Sequence, residues 1–263
     1  MSEHVNRINI ETVIDKPTAP FRYTPEILGV PAMEATGKGV KICIIDSGIP
    51  DHKSIGNVSA SANFANSEDN EDFIGHSTVV SGLIFGNKPE EFVGIAPDAL
   101  GYYAKVIDDS AKTRLDSIVA AVLWGTIKEC DIICLALCSP VDSPSVHDAI
   151  RKANDSGVLV ISCMGEPGQP AYPAMYEEVL SVGALTGQMQ LAPFSEKGDV
   201  NIIGSKMMST YFEQKYTIVS GSSISTALVT GIAARFIEAR RNTGSPVAPN
   251  IIKSVMTSAL PQI

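Results

Sequence analysis

Apolar residues fall along this chain in two alternating patterns. Val40–Ile45 is a near-continuous apolar run of strand length that stops at Asp46-Ser47-Gly48. Runs of the same kind recur at Tyr102–Ile107, Ile132–Leu137, Val158–Cys163 and Val179–Ala184. Between the runs, apolar positions return every three or four residues. Val79, Val80, Leu83 and Ile84 lie on one face of a helix that opens at His76, and Leu115, Ile118, Val119, Val122, Leu123 and Ile127 form a second amphipathic stripe. A further helix is expected over residues 145–154. Ile224, Leu228, Val229, Ile232, Phe236 and Ile237 mark a long buried helix whose first turn holds Ser223.

Strands apolar on both faces, alternating with helices, predict an α/β fold of three layers, α/β/α, around a largely parallel central sheet. In such sheets, sites gather beyond the carboxyl ends of the strands. Asp46 ends one strand, and Gly165-Glu166 lies just past the end of another. Residues 1–22 show neither pattern and read as an N-terminal extension, either a flexible tail or a short inhibitory pro-segment. Residues 23–263 contain no linker, repeat or low-complexity tract and read as one domain. A hydrophobic content of 44% in 263 residues suffices for its core.

A formal net charge of −9 argues against a nucleic-acid partner, since phosphate binding needs clustered Lys and Arg. No apolar run is long enough to span a bilayer, and the polar opening Met1–Val5 lacks the features of a secretory signal. The expectation is a cytoplasmic protein with no membrane partner. The five cysteines, Cys43, Cys130, Cys134, Cys138 and Cys163, form an odd set, which disfavours a disulfide framework and suggests buried thiols. Cys130, Cys134 and Cys138 have helical spacing but fall on a strand-like run, so they are given no metal. The acidic run Ser67–Asp72 lacks the ligand alternation and glycine of a calcium loop and reads as a solvated surface. No metal and no cofactor are expected.

Serine at a helix start after Ser220-Gly221-Ser222 is first of all a cap. The same geometry suits a nucleophile, because backbone N–H groups at a helix N-terminus stabilise a developing anion. Ser223 would then need a base. Of the four histidines, His4 lies in the extension, His52 follows a turn, and His147 sits on the polar face of a helix, where solvation accounts for it. His76, opening a helix after Gly75, is placed to reach across the mouth of a sheet. Asp46 reads either as a turn residue or as the carboxylate that fixes an imidazole tautomer. The order Asp, His, Ser is one of the three in which such triads are built.

At these residues a family resemblance enters. Val40–Ile49, Gly75–Gly82 and Gly221–Ala227 resemble the motifs around the aspartate, histidine and serine of the subtilisin family of serine proteases. The similarity runs from about Tyr23 to Ile237, with Gly94–Pro97, Tyr103–Val106 and Trp124 in matching places. It implies a subtilisin-like fold, a serine endopeptidase acting on a peptide or protein substrate, and Asp46, His76 and Ser223 as the catalytic residues. It further implies that substrate is held as an added strand between Ala111-Lys112-Thr113 and Ala136-Leu137-Cys138, with Met164-Gly165 alongside.

The departures are specific. Ser77 and Val79 stand where Gly and a second His are usual, Ala136 and Cys138 where Ser and Gly are usual, and Ala227 replaces a proline. Glu166 occupies the place of the asparagine that donates, with the Ser223 N–H, to the oxyanion. An ionised carboxylate only accepts and would repel the intermediate, whereas a partly buried, protonated one would donate. Two readings follow: an active endopeptidase, or a pseudoprotease that binds peptides without useful turnover. Leu83–Gly86, Gly94–Pro97 and Ile202–Lys206 also resemble proteases that trim ribosomal peptide precursors of the cyanobactin type, which implies a dedicated substrate.

Overall fold

The computed structural model describes residues 3–4, 9–30, 32–56 and 58–260. The chain opens with β1 (Glu3–His4), β2 (Asn9–Ile14) and β3 (Phe21–Arg22). The first apolar run is β4 (Lys41–Asp46), followed by β5 (Val58–Asn63) and helix α1 (His76–Phe85). Two short strands, β6 (Asn87–Lys88) and β7 (Phe92–Val93), lead to β8 (Leu100–Lys105), β9 (Lys112–Thr113) and α2 (Leu115–Ile127). The alternation continues through β10 (Ile132–Leu135), α3 (Pro144–Asp155), β11 (Leu159–Cys163), β12 (Val179–Leu185) and β13 (Val200–Ile203). The hairpin β14 (Met207–Thr210) and β15 (Tyr216–Ser220) precedes α4 (Ser222–Asn242) and α5 (Pro249–Ala259).

Seven strands form the central sheet in the order β13-β12-β11-β10-β4-β8-β5, and every pairing in it is parallel. Successive side chains of a strand point to opposite faces, and β4 makes the layers explicit. Ile42 and Ile44 join the core that holds α1 and α4, while Cys43 and Ile45 join the core that holds α2 and α3. The result is the three-layer α/β/α architecture expected from the strand runs. No helix among the described residues is long and apolar enough to cross a membrane.

Helix α1 departs from the one-sided stripe. All ten of its residues are buried, because α4 packs on one side and β14 on another. Ser209 Oγ donates to the Val79 carbonyl at 2.6 Å and Thr210 Oγ1 to the Thr78 carbonyl at 2.7 Å. This approach needs Gly82, where an added β-carbon would stand 2.1 Å from Thr210 Oγ1.

The N-terminal extension is docked. β2 pairs antiparallel with β15, and β3 pairs parallel with β7. At the other end of the chain, the Lys253 ammonium anchors α5 by donating to the carbonyls of Glu177 and Val179 at 3.0 and 2.7 Å, and it pairs with Asp199 at 3.1 Å.

Candidate active site

Asp46 is the last residue of β4, at the carboxyl edge of the sheet, and is buried. Its carboxylate accepts from the Ser47 N–H at 2.7 Å and lies 2.9 and 2.8 Å, through Oδ1 and Oδ2, from His76 Nδ1. A carboxylate only accepts, so this contact puts the proton of a neutral imidazole on Nδ1 and leaves Nε2 as a base. Nε2 is buried and has no hydrogen-bond partner. Burial works against charging the ring, but the charge and hydrogen bond of Asp46, with the charge of Asp72, outweigh it and raise the His76 pKa above its ordinary value.

His76 owes its place to Asp72. Asp72 Oδ1 accepts from the Ile74 and Gly75 N–H groups at 3.1 and 2.8 Å, and Oδ2 accepts from the Thr78 N–H and hydroxyl at 2.8 and 2.7 Å. These bonds satisfy the N–H groups that the first turn of α1 leaves unpaired. Gly75, at φ +84°, sits against the Phe212 ring, which would be 2.8 Å from any β-carbon there. The Ser47 hydroxyl lies 3.0 Å from Asp46 Oδ1 and 2.8 Å from Asp72 Oδ1, and it accepts from the Ser77 N–H at 3.0 Å. The acidic run is therefore not all solvated surface: Asp72 is buried and organises the histidine's turn.

Ser223 stands in the first turn of α4, which packs against α1. Gly221 precedes that helix in extended backbone, and no side chain caps it. Ser222 and the buried Ser223, in that first turn, border a cavity of about 220 Å³, lined also by Asn9, Glu166, Phe194 and Ser220. Asp46 and His76 are thus joined directly, while Ser223 faces the cavity and makes no bond to Nε2 in this conformation.

Glu166 follows the end of β11 and is exposed, not partly buried. It borders both the Ser223 cavity and a smaller one of about 120 Å³ lined by Cys138, Ser139, Gly165 and Gln169. Ala136 and Leu137 are buried, and Cys138 is half-buried. Met164 parts from this group. Its backbone N–H donates to the Val182 carbonyl at 2.8 Å, and it lines a separate depression of about 570 Å³ with Tyr176, Asp199 and Lys253.

Ala111 lies in a turn at φ +58°, and Lys112–Thr113 form β9. The partner of β9 is the chain's own start: Glu3 pairs with Thr113 and His4 with Lys112, antiparallel. Beyond Ser223, Asn9 pairs with Ser220. The extension thus pairs with β9 and, at Asn9, lines the Ser223 cavity, a placement that its irregular sequence gave no signal of. The expected solvation of His4 concerns a side chain outside the described residues.

The remaining candidates have local explanations. His147 is not simply solvated: its ring stacks on Tyr176 at 4.1 Å between centroids, and Nε2 lies 2.9 Å from Glu178 Oε2. His52 is a buried loop residue whose Nδ1 accepts from the Ser54 N–H at 3.1 Å and whose Nε2 lies 3.0 Å from the Lys215 carbonyl. Among the described residues no group of three or more His, Cys, Asp or Glu could hold a metal ion. Cys134 lies on β10, as the strand reading required.

Sequence comparison agrees with this geometry. The minor extracellular protease Epr of Bacillus subtilis is 36% identical over 199 residues, 73% of this chain and 31% of Epr. An intracellular serine protease of Paenibacillus polymyxa is 31% identical over 229 residues, 80% of this chain and 70% of that protein. Subtilisin DY of Bacillus licheniformis is 30% identical over 240 residues, 87% of this chain and 88% of the subtilisin. The chain thus spans under a third of Epr and most of the shorter relatives. The sequence profile of the subtilase family matches residues 37–261, and the chain belongs to that family.

Proposed function

We propose that this protein is a serine endopeptidase. Ser223 Oγ attacks the scissile carbonyl as His76 Nε2 takes its proton, and Asp46 holds the ring in the required tautomer and stabilises the imidazolium that forms. The Ser223 N–H, at the uncapped start of α4, donates to the oxyanion. His76 then returns the proton to the leaving amine, and water releases the acyl group by the same route in reverse. The observation that carries this reading is the two-oxygen contact of Asp46 with His76 Nδ1, which leaves Nε2 buried and unpartnered on a helix that packs against the one holding Ser223.

A fluorophosphonate probe tests it, because it bonds only to an activated serine. Labelling of wild type and none of Ser223→Ala is expected. Peptide binding without labelling would favour the pseudoprotease reading, which the exposed carboxylate of Glu166 beside Ser223 supports.

Residues 1–22 serve, in this reading, as an inhibitory segment. The support is that β1 takes the edge of β9 where a substrate strand would add, while Asn9 borders the Ser223 cavity. Deleting residues 1–8 should raise kcat/KM, and mass spectrometry of the full chain over time should reveal self-trimming; neither change would argue for a merely structural tail. Side chains at Ala136 and Cys138, where bare backbone is usual, fit a narrow substrate range such as one peptide precursor. A cytoplasmic site of action fits the intracellular relative, and the name of Epr points the other way.

A further inference from the structure

Cys138 and Cys163 meet where the proposed mechanism makes no use of sulfur. Cys163 ends β11 and is fully buried; Cys138 lies three residues beyond the end of β10 and is half-buried. The two strands pair in parallel with Leu135 opposite Ser162, so the segments that follow leave the sheet side by side. The Cys138 thiol stands beside that of Cys163, near enough to hold its pKa up, and the hydroxyl of Ser222, the residue before Ser223, is near enough to lower it. Cys138 Sγ would stand 3.2 Å from a β-carbon on Gly165, so the sulfur packs directly on the glycine that precedes Glu166. Cys138 borders the 120 Å³ cavity, and Ser222 the adjoining one that holds Ser223. The dithiol is therefore part of the wall between segment 136–138 and the nucleophile.

Two neighbouring thiols in this position can be joined to each other by oxidation. We propose that Cys138 and Cys163 are a reversible oxidation site, which a small-molecule disulfide converts to an internal disulfide that deforms the substrate cleft and stops turnover. The effect on turnover rests on the endopeptidase reading above; formation of the bond does not.

The steps balance. The Cys138 thiolate, on the more accessible residue, attacks one sulfur of the small disulfide, breaks its S–S bond and releases one thiol. The Cys163 thiolate then displaces the second thiol from the mixed disulfide. Two protein thiols are oxidised, one small disulfide is reduced to two thiols, and the two protein protons end on them. The neighbouring Cys138 thiol and burial hold the Cys163 thiol well above its ordinary pKa, so closure is the slow step and alkaline pH speeds it.

Closure brings the sulfurs to about 2.05 Å, well inside the contact distance of two thiols, so segment 136–138 or 163–165 must shift by on the order of 1 Å. A misplacement of about 1 Å in a positioned site costs roughly 10²-fold in rate.

The test incubates the reduced full chain with oxidised glutathione at mildly alkaline pH. Non-reducing peptide mapping reads the bond, and turnover and fluorophosphonate labelling of Ser223 read the site, each variant being compared with its own reduced form. Wild type should gain the 138–163 cross-link and lose roughly 10² in both rates, with recovery in dithiothreitol. Cys163→Ala should gain no cross-link and stop at the Cys138 mixed disulfide, Cys138→Ala should gain no cross-link and keep its own reduced rates, and Cys43→Ala should behave as wild type. Mixed disulfides only, a cross-link elsewhere, or a 138–163 bond that leaves both rates unchanged would overturn the proposal. If the reduced protein shows neither turnover nor labelling, the endopeptidase reading has failed. Mapping still decides the thiol pair, and binding of a fluorescent peptide before and after oxidation then reads the cleft.

Discussion

Replacing Glu166 by Asn should raise kcat by about 10³. Glu166 borders the same cavity as Ser222 and Ser223 and is exposed, and in the proposed mechanism its side chain takes the place of the oxyanion's second donor. A carboxylate accepts only and offers the intermediate no hydrogen. Loss of such a donor costs about 2.7–4 kcal/mol, a figure measured on a subtilisin and so on a member of this family. Repulsion between carboxylate and oxyanion adds about 1 kcal/mol at roughly 4 Å in water-like surroundings; exposure argues against the larger value of a drier site. The two together come to roughly 4 kcal/mol, or about a thousandfold. Glu166→Gln separates them, since removing the charge without placing the amide should recover only about fivefold. The assay is kcat and KM on a chromogenic peptide across pH, and KM should change little because the interaction arises in the transition state. Equal rates for wild type and Glu166→Asn at every pH would show that residue 166 is not at the oxyanion. A wild-type rate that climbs as pH falls would show that a protonated Glu166 donates after all.

Other perturbations test the support of the site. Asp72→Asn turns an amide N–H₂ toward the Thr78 donors and leaves a buried N–H unpaired, a cost of about 2–3 kcal/mol and a Tm lower by roughly 5–10 °C in a thermal melt. The same change removes a negative charge that raises the His76 pKa, so the His76 imidazole signals in NMR should titrate at lower pH than in wild type; an unmoved or higher midpoint would refute the electrostatic role. In wild type, activity needs the neutral ring, so the acid limb of kcat/KM should lie above the ordinary histidine value of 6.5 and shift downward in Asp72→Asn. Lys253→Met leaves the Val179 and Glu177 carbonyls and Asp199 without their ammonium and should lower Tm by about 3–6 °C; an unchanged melt would mean that α5 is held by packing alone.

What could be read from the sequence, and what could not, divides along one physical line. β4, β10, β11 and β12 lie inside the central sheet and are buried on both faces, so they carry near-continuous apolar runs, and Asp46 at the end of β4 came with them. β2 has no such signature. Five of its six residues are exposed, and its hydrogen bonds go to β15, some two hundred residues away in sequence, so nothing local marks it. Helix α1 looked one-sided because its small polar residues Ser77, Thr78 and Ser81 resemble a solvent face. They are in fact buried, and Thr78 is bonded to Asp72 from the acidic run before the helix. Glu166 combines both cases: its place after β11 followed from the strand, while its exposure depends on a loop that no periodicity describes. Burial writes itself into composition, whereas hydrogen bonds between distant backbone segments leave composition nearly unchanged. The scaffold and the helix that holds Ser223 were legible for that reason, and the docking of β1 on β9 and the neighbouring of Cys138 and Cys163 were not.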